Sequence, residues 1–137
     1  MGRHTMRALS VAAVVSALLV SCGPRGQEPE ELYPEDICSL CRMAVSDPRF
    51  AAEIVSAEGE VFKFDDIGCL ESFQEQDRDL PGAAVFVKDF ESALWLPIGE
   101  ATIVSTEMST PMGSGKLAFS SPEASRRFLE RLDPSGL

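Results

Sequence analysis

The stretch "RFAAEIVSAEGEVFKF", residues 49–64, predicts a β-hairpin and begins the unit that decides the fold. Apolar and β-branched residues recur along two arms, Phe50 to Ser56 and Glu60 to Phe64. Glu58-Gly59 lies between the arms, and a glycine in a short connection between two such runs is typical of a hairpin turn. We therefore expect two antiparallel strands here.

Residues 65–76, "DDIGCLESFQEQ", predict a helix directly after the hairpin. Asp65 or Asp66 is suited to cap its N-terminus, because a carboxylate accepts hydrogen bonds from the first backbone N–H groups of a helix. Ile67, Leu70 and Phe73 recur at helical spacing and give the helix an apolar face. Together the hairpin and the helix predict a ββα unit.

The rest of the chain predicts a second, similar unit. The predicted elements are a strand in "AAVFVKD" (83–89), a hairpin in "ALWLPIGEATIVST" (93–106) that turns near residues 97–100, a loop, and a helix in "SSPEASRRFLERL" (120–132). Two caps fit that helix equally well, Ser120 with Glu123 or Ser121 with Pro122. The sequence predicts an α+β fold of two ββα(β)-type units with mostly antiparallel strands sharing one core.

The N-terminus is typical of a bacterial lipoprotein. Arg3 and Arg7 precede an apolar run at 8–20 that is too short for a comfortable membrane span but suits a signal peptide. "LVSC" ends the run and resembles a lipobox, in which the chain is cut before Cys22 and its thiol carries a lipid. The alternative is an ordinary secretion signal with an incidental cysteine. We expect a signal peptide at 1–21, a flexible tether at 22–35 and a folded domain at 36–137.

The charge of the chain excludes one class of partner. The whole chain has 12 basic and 22 acidic residues, and removal of 1–21 would take away Arg3 and Arg7, leaving 10 basic residues and a net charge of −12. Nucleic acid is not expected as a partner, because binding it requires basic patches. An anionic bilayer would also repel the domain, so we expect membrane attachment through the lipid, on the extracytoplasmic or periplasmic face.

The stretch "DICSLCRMAV" (36–45) places the sulfur atoms of Cys38, Cys41 and Met43 close together. Four interpretations compete: a thiol-disulfide oxidoreductase site that uses Cys38 and Cys41, structural zinc, a plain disulfide or inert thiols, and a Cu(I) site. Zinc lacks a second cysteine pair and would need Cys69 with an aspartate to complete its ligands. Thiolate and thioether together favour Cu(I), a soft ion.

Three more sulfur-bearing residues bear on this site. Met112 lies in the glycine-rich loop "STPMGSGK" (109–116) and is a candidate to complete a Cu(I) site from across the fold, with Met108 nearby. Cys69 suits core packing better than metal binding, because it shares a helix face with buried apolar residues. The only histidine, His4, lies in the signal segment, so no nucleophile–base pair is visible and no enzyme is predicted.

The lipobox, "CSLCRM", "FDDIGC" and "MGSGKLAF", in this order in a short chain, resemble the NosL family. The resemblance implies a Cu(I)-binding metallochaperone that passes copper to nitrous oxide reductase or its assembly machinery, and a fold of two ββαβ-type units. Its motif falls on Cys38, Cys41 and Met43, with the later Met-Gly on Met112-Gly113. Arg42 stands where many members have glycine, which implies a difference in the charge beside the site.

Overall fold

The computed structural model describes residues 26–76 and 80–133. The predicted signal peptide and the predicted lipid-bearing Cys22 lie outside these residues. No helix in the described ranges has the length and apolar character needed to cross a bilayer.

A four-stranded antiparallel sheet forms the first half of the fold. Its strands, in the spatial order β2-β1-β3-β4, are β1 (Ala52–Val55), β2 (Val61–Phe64), β3 (Ala84–Lys88) and β4 (Trp95–Pro97). The predicted hairpin is confirmed, with Ala52 opposite Phe64 and Val55 opposite Val61. Gly59 adopts a φ of 88° in the connection, a conformation that glycine reaches without steric cost.

Helix α1 (Ile67–Glu75) follows β2 and packs against one face of this sheet. Asp66 is its N-cap, and its side chain accepts a hydrogen bond from the Gly68 N–H. The apolar face predicted for the helix is buried against the sheet, where α1 and the strands contribute Ile67, Leu70, Phe73, Ala52, Ile54, Phe64 and Val87. These contacts fix the N-terminus of α1 beside the end of β2.

A two-stranded antiparallel sheet and a second helix complete the fold. They are β5 (Thr102–Ser105), β6 (Lys116–Phe119) and α2 (Pro122–Leu132), so the second unit is also ββα. Ser121 caps α2 by accepting from the Ala124 N–H, with Pro122 in the first turn, which selects one of the two predicted caps. The α+β class with antiparallel strands is confirmed.

The predicted hairpin across residues 93–106 is wrong. A short 3-10 helix, Ile98–Glu100, separates its two arms, and β4 pairs with β3 while β5 pairs with β6. The segment predicted as a loop contains β6. Alternate residues of β6 face opposite sides of the strand. Ala118 packs in the first apolar cluster, with α1 and the four-stranded sheet, whereas Leu117 and Phe119 pack in a second apolar cluster, so β6 links the two parts of the core.

Residues 26–36, here called the N-terminal arm, lie along the second face of the four-stranded sheet. The Gln27 side-chain amide donates to the carbonyls of Val55 (2.9 Å) and Gly82 (2.8 Å), and the Trp95 indole N–H donates to the Glu30 carbonyl (2.9 Å). Most of the arm belongs to the segment predicted as a flexible tether, and that boundary stays a prediction. The contacts show that the arm covers part of the sheet.

Glu53 on β1 is fully buried beneath the arm. Its Oε1 accepts from the Glu30 backbone N–H (2.8 Å), while its Oε2 has no hydrogen-bond partner among the described residues. Burial is the main cause that raises the pKa of Glu53 to about 7. The arm therefore closes over a carboxyl group that favours its neutral form.

Candidate metal centre

A tight turn between residues 37 and 44 presents the cysteine pair. Ile37 and Ala44 form an isolated antiparallel bridge, and inside it the Cys38 N–H donates to the Met43 carbonyl (2.8 Å). The Ser39 N–H donates to the Lys63 carbonyl (2.7 Å) on the edge strand β2. The turn is thus fixed to the end of the sheet where α1 begins.

Four ligand-type side chains converge at this point. The Sγ atoms of Cys38, Cys41 and Cys69 and a carboxylate oxygen of Asp65 all lie within 4.8 Å of one another. We call this group the Cys3Asp cluster. The turn supplies two members, the β2–α1 junction supplies Asp65, and the first turn of α1 supplies Cys69. The two adjacent aspartates have different roles. Asp66 caps α1, and Asp65 faces the thiols.

The cluster is mostly enclosed. Cys38, Cys69 and Asp65 are buried, whereas Cys41 is partly accessible. The Cys41 thiol lies 3.5 Å from each oxygen of the Asp65 carboxylate, at hydrogen-bond distance for sulfur. The three cysteines in the described part of the chain are free thiols. Cys41 is therefore the member through which the cluster meets solvent.

Burial and nearby negative charge raise the pKa of two thiols in the cluster, those of Cys41 and Cys69. Burial, together with the neighbouring Cys38 thiol and the Asp65 carboxylate, raises the pKa of the Cys41 thiol. Burial is also the first cause that raises the pKa of Cys69. A bound cation reverses this balance, since it replaces the thiol protons and compensates the negative charge. The cluster is suited to bind a soft cation and release protons on binding.

Both predicted methionine ligands lie at the surface beside the cluster. Met43 ends the cysteine turn, and its side chain is 56% exposed. Met112 is 45% exposed and lines a shallow cavity of about 300 Å³ together with Cys69 and Leu40. The structure therefore brings Met112 to the cavity that Cys69 shares, without burying either thioether among the thiols. Met108 packs instead against the second apolar cluster.

Sequence reasoning underrated two members of the cluster. Cys69 is buried, as its predicted place in the core requires, and its Sγ also belongs to the Cys3Asp cluster. Asp65 and Asp66 were both offered as caps of the helix, and Asp66 has that role. The sequence did hold a signal for Asp65, because a helix cap needs only one carboxylate and the chain has two in a row, Asp65 and Asp66. The zinc interpretation also gains from this arrangement, which supplies the two ligands it lacked.

Comparisons with known proteins agree with this architecture. The sequence profile of the NosL family matches residues 29–133. The crystal structure of the copper chaperone NosL from Shewanella denitrificans superimposes with a TM-score of 0.66 at 18% sequence identity, covering 78% of this chain and 89% of that one. At this identity the likeness shows a shared fold. No curated protein sequence matches the chain significantly.

Proposed function

This chain belongs to the NosL family, and from that premise we propose that it is a metallochaperone which carries one Cu(I) ion as its cargo. The observation that carries the proposal is the Cys3Asp cluster, in which three thiols meet within 4.8 Å. The Shewanella protein with the same fold is a copper chaperone, which supports the same cargo here. The chain acts by binding and transfer, not as an enzyme.

Ligand chemistry favours copper in the cuprous state. Thiolates are soft ligands, and Cu(I) is the soft ion among the common transition metals. Cys38 and Cys41 are the proposed primary ligands, and Cys69 is the third sulfur within reach. The hard carboxylate of Asp65 suits Cu(I) poorly as a direct ligand, so its proposed role is to orient the Cys41 thiol by accepting a hydrogen bond from it.

Met43 and Met112 are the proposed exchange ligands. Both side chains are about half exposed, Met43 two residues after the partly accessible Cys41 and Met112 in the cavity that Cys69 also lines. A thioether is neutral and binds more weakly than a thiolate. It therefore completes the site while copper is held and leaves first when an acceptor offers stronger ligands. Exposure of the two methionines supports this role, since an acceptor must reach the ion from outside.

Zinc is the second candidate cargo, because three thiolates and one carboxylate also match a tetrahedral zinc site. This interpretation needs no methionine. It predicts that Asp65 is a direct ligand and that substitutions at Met43 and Met112 leave metal affinity unchanged. The two metals are therefore separable by the same set of variants.

The electrostatics disfavour the alternative of a thiol-disulfide oxidoreductase. Such sites lower the pKa of the attacking thiol, usually at a helix N-terminus. Here Cys38 and Cys41 lie in a turn, and the pKa of the Cys41 thiol is raised. A protonated thiol is a poor nucleophile, so disulfide exchange is expected to be slow.

The cellular setting is part of the proposal. A lipid on Cys22 would hold the protein on the extracytoplasmic or periplasmic face of a membrane. The proposed acceptor is a copper enzyme in that compartment, nitrous oxide reductase or its assembly machinery, as the family resemblance implies. The acidic surface, with a net charge of −10 over the whole chain, supports a protein partner and no nucleic acid.

Anaerobic competition with a cuprous chelator tests the proposal on the reduced chain from residue 22 onward. Cys38→Ser, Cys41→Ser, Met43→Leu and Met112→Leu should each weaken Cu(I) by at least about tenfold, which is about 1.4 kcal/mol. Ser39→Ala, inside the same turn, is the matched control and should bind as wild type does. Parallel Zn(II) titrations decide between the cargoes. Unchanged Cu(I) affinity in the cysteine variants, or loss of Zn(II) affinity alone, would reject the copper proposal.

A further inference from the structure

Asp66 makes more contacts than a helix cap requires. Its Oδ1 accepts from the Gly68 N–H (2.7 Å), which is the ordinary capping bond. Its Oδ2 accepts from the Thr110 hydroxyl (2.6 Å) and from the Met112 backbone N–H (2.9 Å). The carboxylate is fully buried, and Thr110 is buried with it. One oxygen therefore caps α1, and the other holds a loop distant in sequence.

That loop, residues 106–115, is here called the Met112 loop, and it is closed on itself. The Thr106 N–H donates to the Gly115 carbonyl (2.8 Å), and the Gly115 N–H donates to the Thr110 hydroxyl (3.2 Å). Gly115 has a φ of 66°, and a Cβ there would lie 2.3 Å from the Thr106 carbonyl oxygen. These contacts hold the ends of the loop together, and the bonds to Asp66 fix the backbone at Met112.

Gly68 permits this close approach from the helix side. A Cβ on Gly68 would lie 2.7 Å from the Ser114 Cβ, closer than such atoms approach in folded proteins. The absence of a side chain at residue 68 thus lets the Met112 loop rest on the first turn of α1. The same turn carries Cys69, and Cys69, Met112 and Ser114 line one cavity.

We propose that Asp66 is a positioning residue that holds the Met112 thioether at the copper site through its Oδ2 bonds to the Met112 loop. The inference rests on the proposed function, with Met112 as an exchange ligand. Asp66 does not contact the metal. It joins the α1 end of the Cys3Asp cluster to the loop that brings the ligand from the second ββα unit.

Asp66→Asn separates the two tasks of the side chain. The amide oxygen still accepts from the Gly68 N–H, but the NH2 group that replaces Oδ2 cannot accept from the Met112 N–H. Thr110→Val removes the hydroxyl that donates to Asp66 Oδ2 and leaves the cap of α1 intact. Ser121→Ala is the matched control, because it removes the N-cap of α2 without touching the site.

The test measures Cu(I) affinity by anaerobic chelator competition and thermal unfolding of the same reduced samples. Asp66→Asn and Thr110→Val should each weaken Cu(I) by about as much as Met112→Leu does. In a Met112→Leu background they should weaken it no further, because the ligand they position is already gone. Ser121→Ala should lower the unfolding temperature and leave Cu(I) affinity unchanged.

A second readout needs no copper. In the reduced metal-free protein, the ¹³C-methyl resonance of Met112 should shift or broaden in Asp66→Asn and Thr110→Val, and stay unchanged in Ser121→Ala. If Asp66→Asn does not fold, Thr110→Val decides.

Three outcomes overturn the inference. The first is wild-type Cu(I) affinity in both Asp66→Asn and Thr110→Val. The others are affinity losses in these variants that add fully to the loss in Met112→Leu, or a Met112→Leu variant that binds Cu(I) as wild type does. In each of these the cysteine cluster still binds copper, so the proposed copper cargo stands, although the third outcome removes Met112 from the proposed ligands. A wild-type chain that binds no Cu(I) removes the proposed function itself, and the inference with it.

Discussion

Arg42 carries a local strain that explains why glycine suits its position. Its φ is 66°, in the left-handed region that costs a residue with a side chain roughly 1 kcal/mol. The conformation follows from the turn, in which the Arg42 N–H donates back to the Cys38 carbonyl (3.1 Å). The turn that presents the cysteine pair thus requires a positive φ at Arg42, a conformation that arginine disfavours.

We expect Arg42→Gly to raise the free energy of unfolding by up to about 1 kcal/mol, partly offset by the greater freedom of glycine in the unfolded chain. Arg42→Ala is the control, because it removes the charge and keeps the strain. Urea unfolding of the reduced, metal-free proteins measures both. The explanation fails if Arg42→Gly is no more stable than Arg42→Ala.

Glu53 by itself should make the free energy of unfolding depend on pH. Its pKa is about 7 in the folded chain against an ordinary value of 4.5, with burial as the main cause. The charged groups facing it are Lys63 on β2, Lys88 on β3, and Glu30 and Asp36 in the arm. Between pH 4.5 and 7 the folded chain keeps a proton that the unfolded chain has lost. The contribution of Glu53 to stability therefore falls as pH rises through this range.

We expect Glu53→Gln to flatten this decline and to be more stable than wild type above pH 7, by at most about 3 kcal/mol. Denaturant unfolding from pH 4.5 to 8 measures the effect. Glu58→Gln is a suitable control, because Glu58 is exposed in the turn that follows β1. The same decline in Glu53→Gln as in wild type would show that another group titrates.

At the scale of elements, sequence patterns predicted the first ββα unit well because its signals are local. The hairpin has a glycine turn, α1 has a cap and an apolar face, and both are adjacent in the chain. The second hairpin failed for the opposite reason. The partner of β4 is β3, that of β5 is β6, and nothing in the local alternation at 93–106 specifies either pairing.

The site divides in the same way. Cys38 and Cys41 are close in sequence and were found by their spacing, whereas Met43 stays a predicted ligand. Cys69 and Asp65 join them only because α1 begins beside the cysteine turn, which is a consequence of packing. Long-range contacts of this kind leave no periodic pattern in the chain. Spacing therefore finds the local part of the site, and the fold supplies the rest.

The N-terminal arm is an element without regular secondary structure that nevertheless covers a sheet face. The only tryptophan, Trp95, donates its indole N–H to the arm at Glu30 and is therefore a natural probe. We expect a chain that begins at residue 32 to show red-shifted Trp95 fluorescence, because water replaces the arm. Its Glu53 pKa should also fall toward the ordinary value, which reduces the pH dependence.

A matched substitution, Gln27→Ala, removes only the amide that donates to Val55 and Gly82, and it should produce a smaller shift in the same direction. Unchanged emission in the shortened chain would mean that the arm does not shield the sheet in solution.

At the scale of the whole molecule, the start of the arm and the site lie at different ends of β1 and β2. Gln27 is bonded at Val55, beside the hairpin turn, whereas the Cys3Asp cluster lies where β2 ends and α1 begins. A lipid on Cys22, five residues before Gln27, would place the hairpin turn near the bilayer and the metal site away from it. This orientation would leave Cys41, Met43 and Met112 accessible to a copper acceptor.

We expect Cys22→Ser to move the protein from the membrane fraction to the soluble fraction or to leave it unprocessed. The physical reason is that an acyl chain on Cys22 would insert into the bilayer, whereas serine cannot carry it. Fractionation with intact-mass analysis measures both outcomes. A wild-type mature chain that begins elsewhere, with Cys22 unmodified, would contradict the prediction.

X-ray absorption at the copper edge of the anaerobic one-to-one complex tests the central claim most directly. A mature chain without His4 has no histidine, so a nitrogen-rich shell is not available from side chains. We predict a Cu(I) edge and a first shell dominated by sulfur, which loses sulfur in Cys38→Ser and in Met112→Leu and stays unchanged in Ser39→Ala. A shell of oxygen scatterers, or a sulfur shell unaffected by Cys38→Ser, would contradict the account.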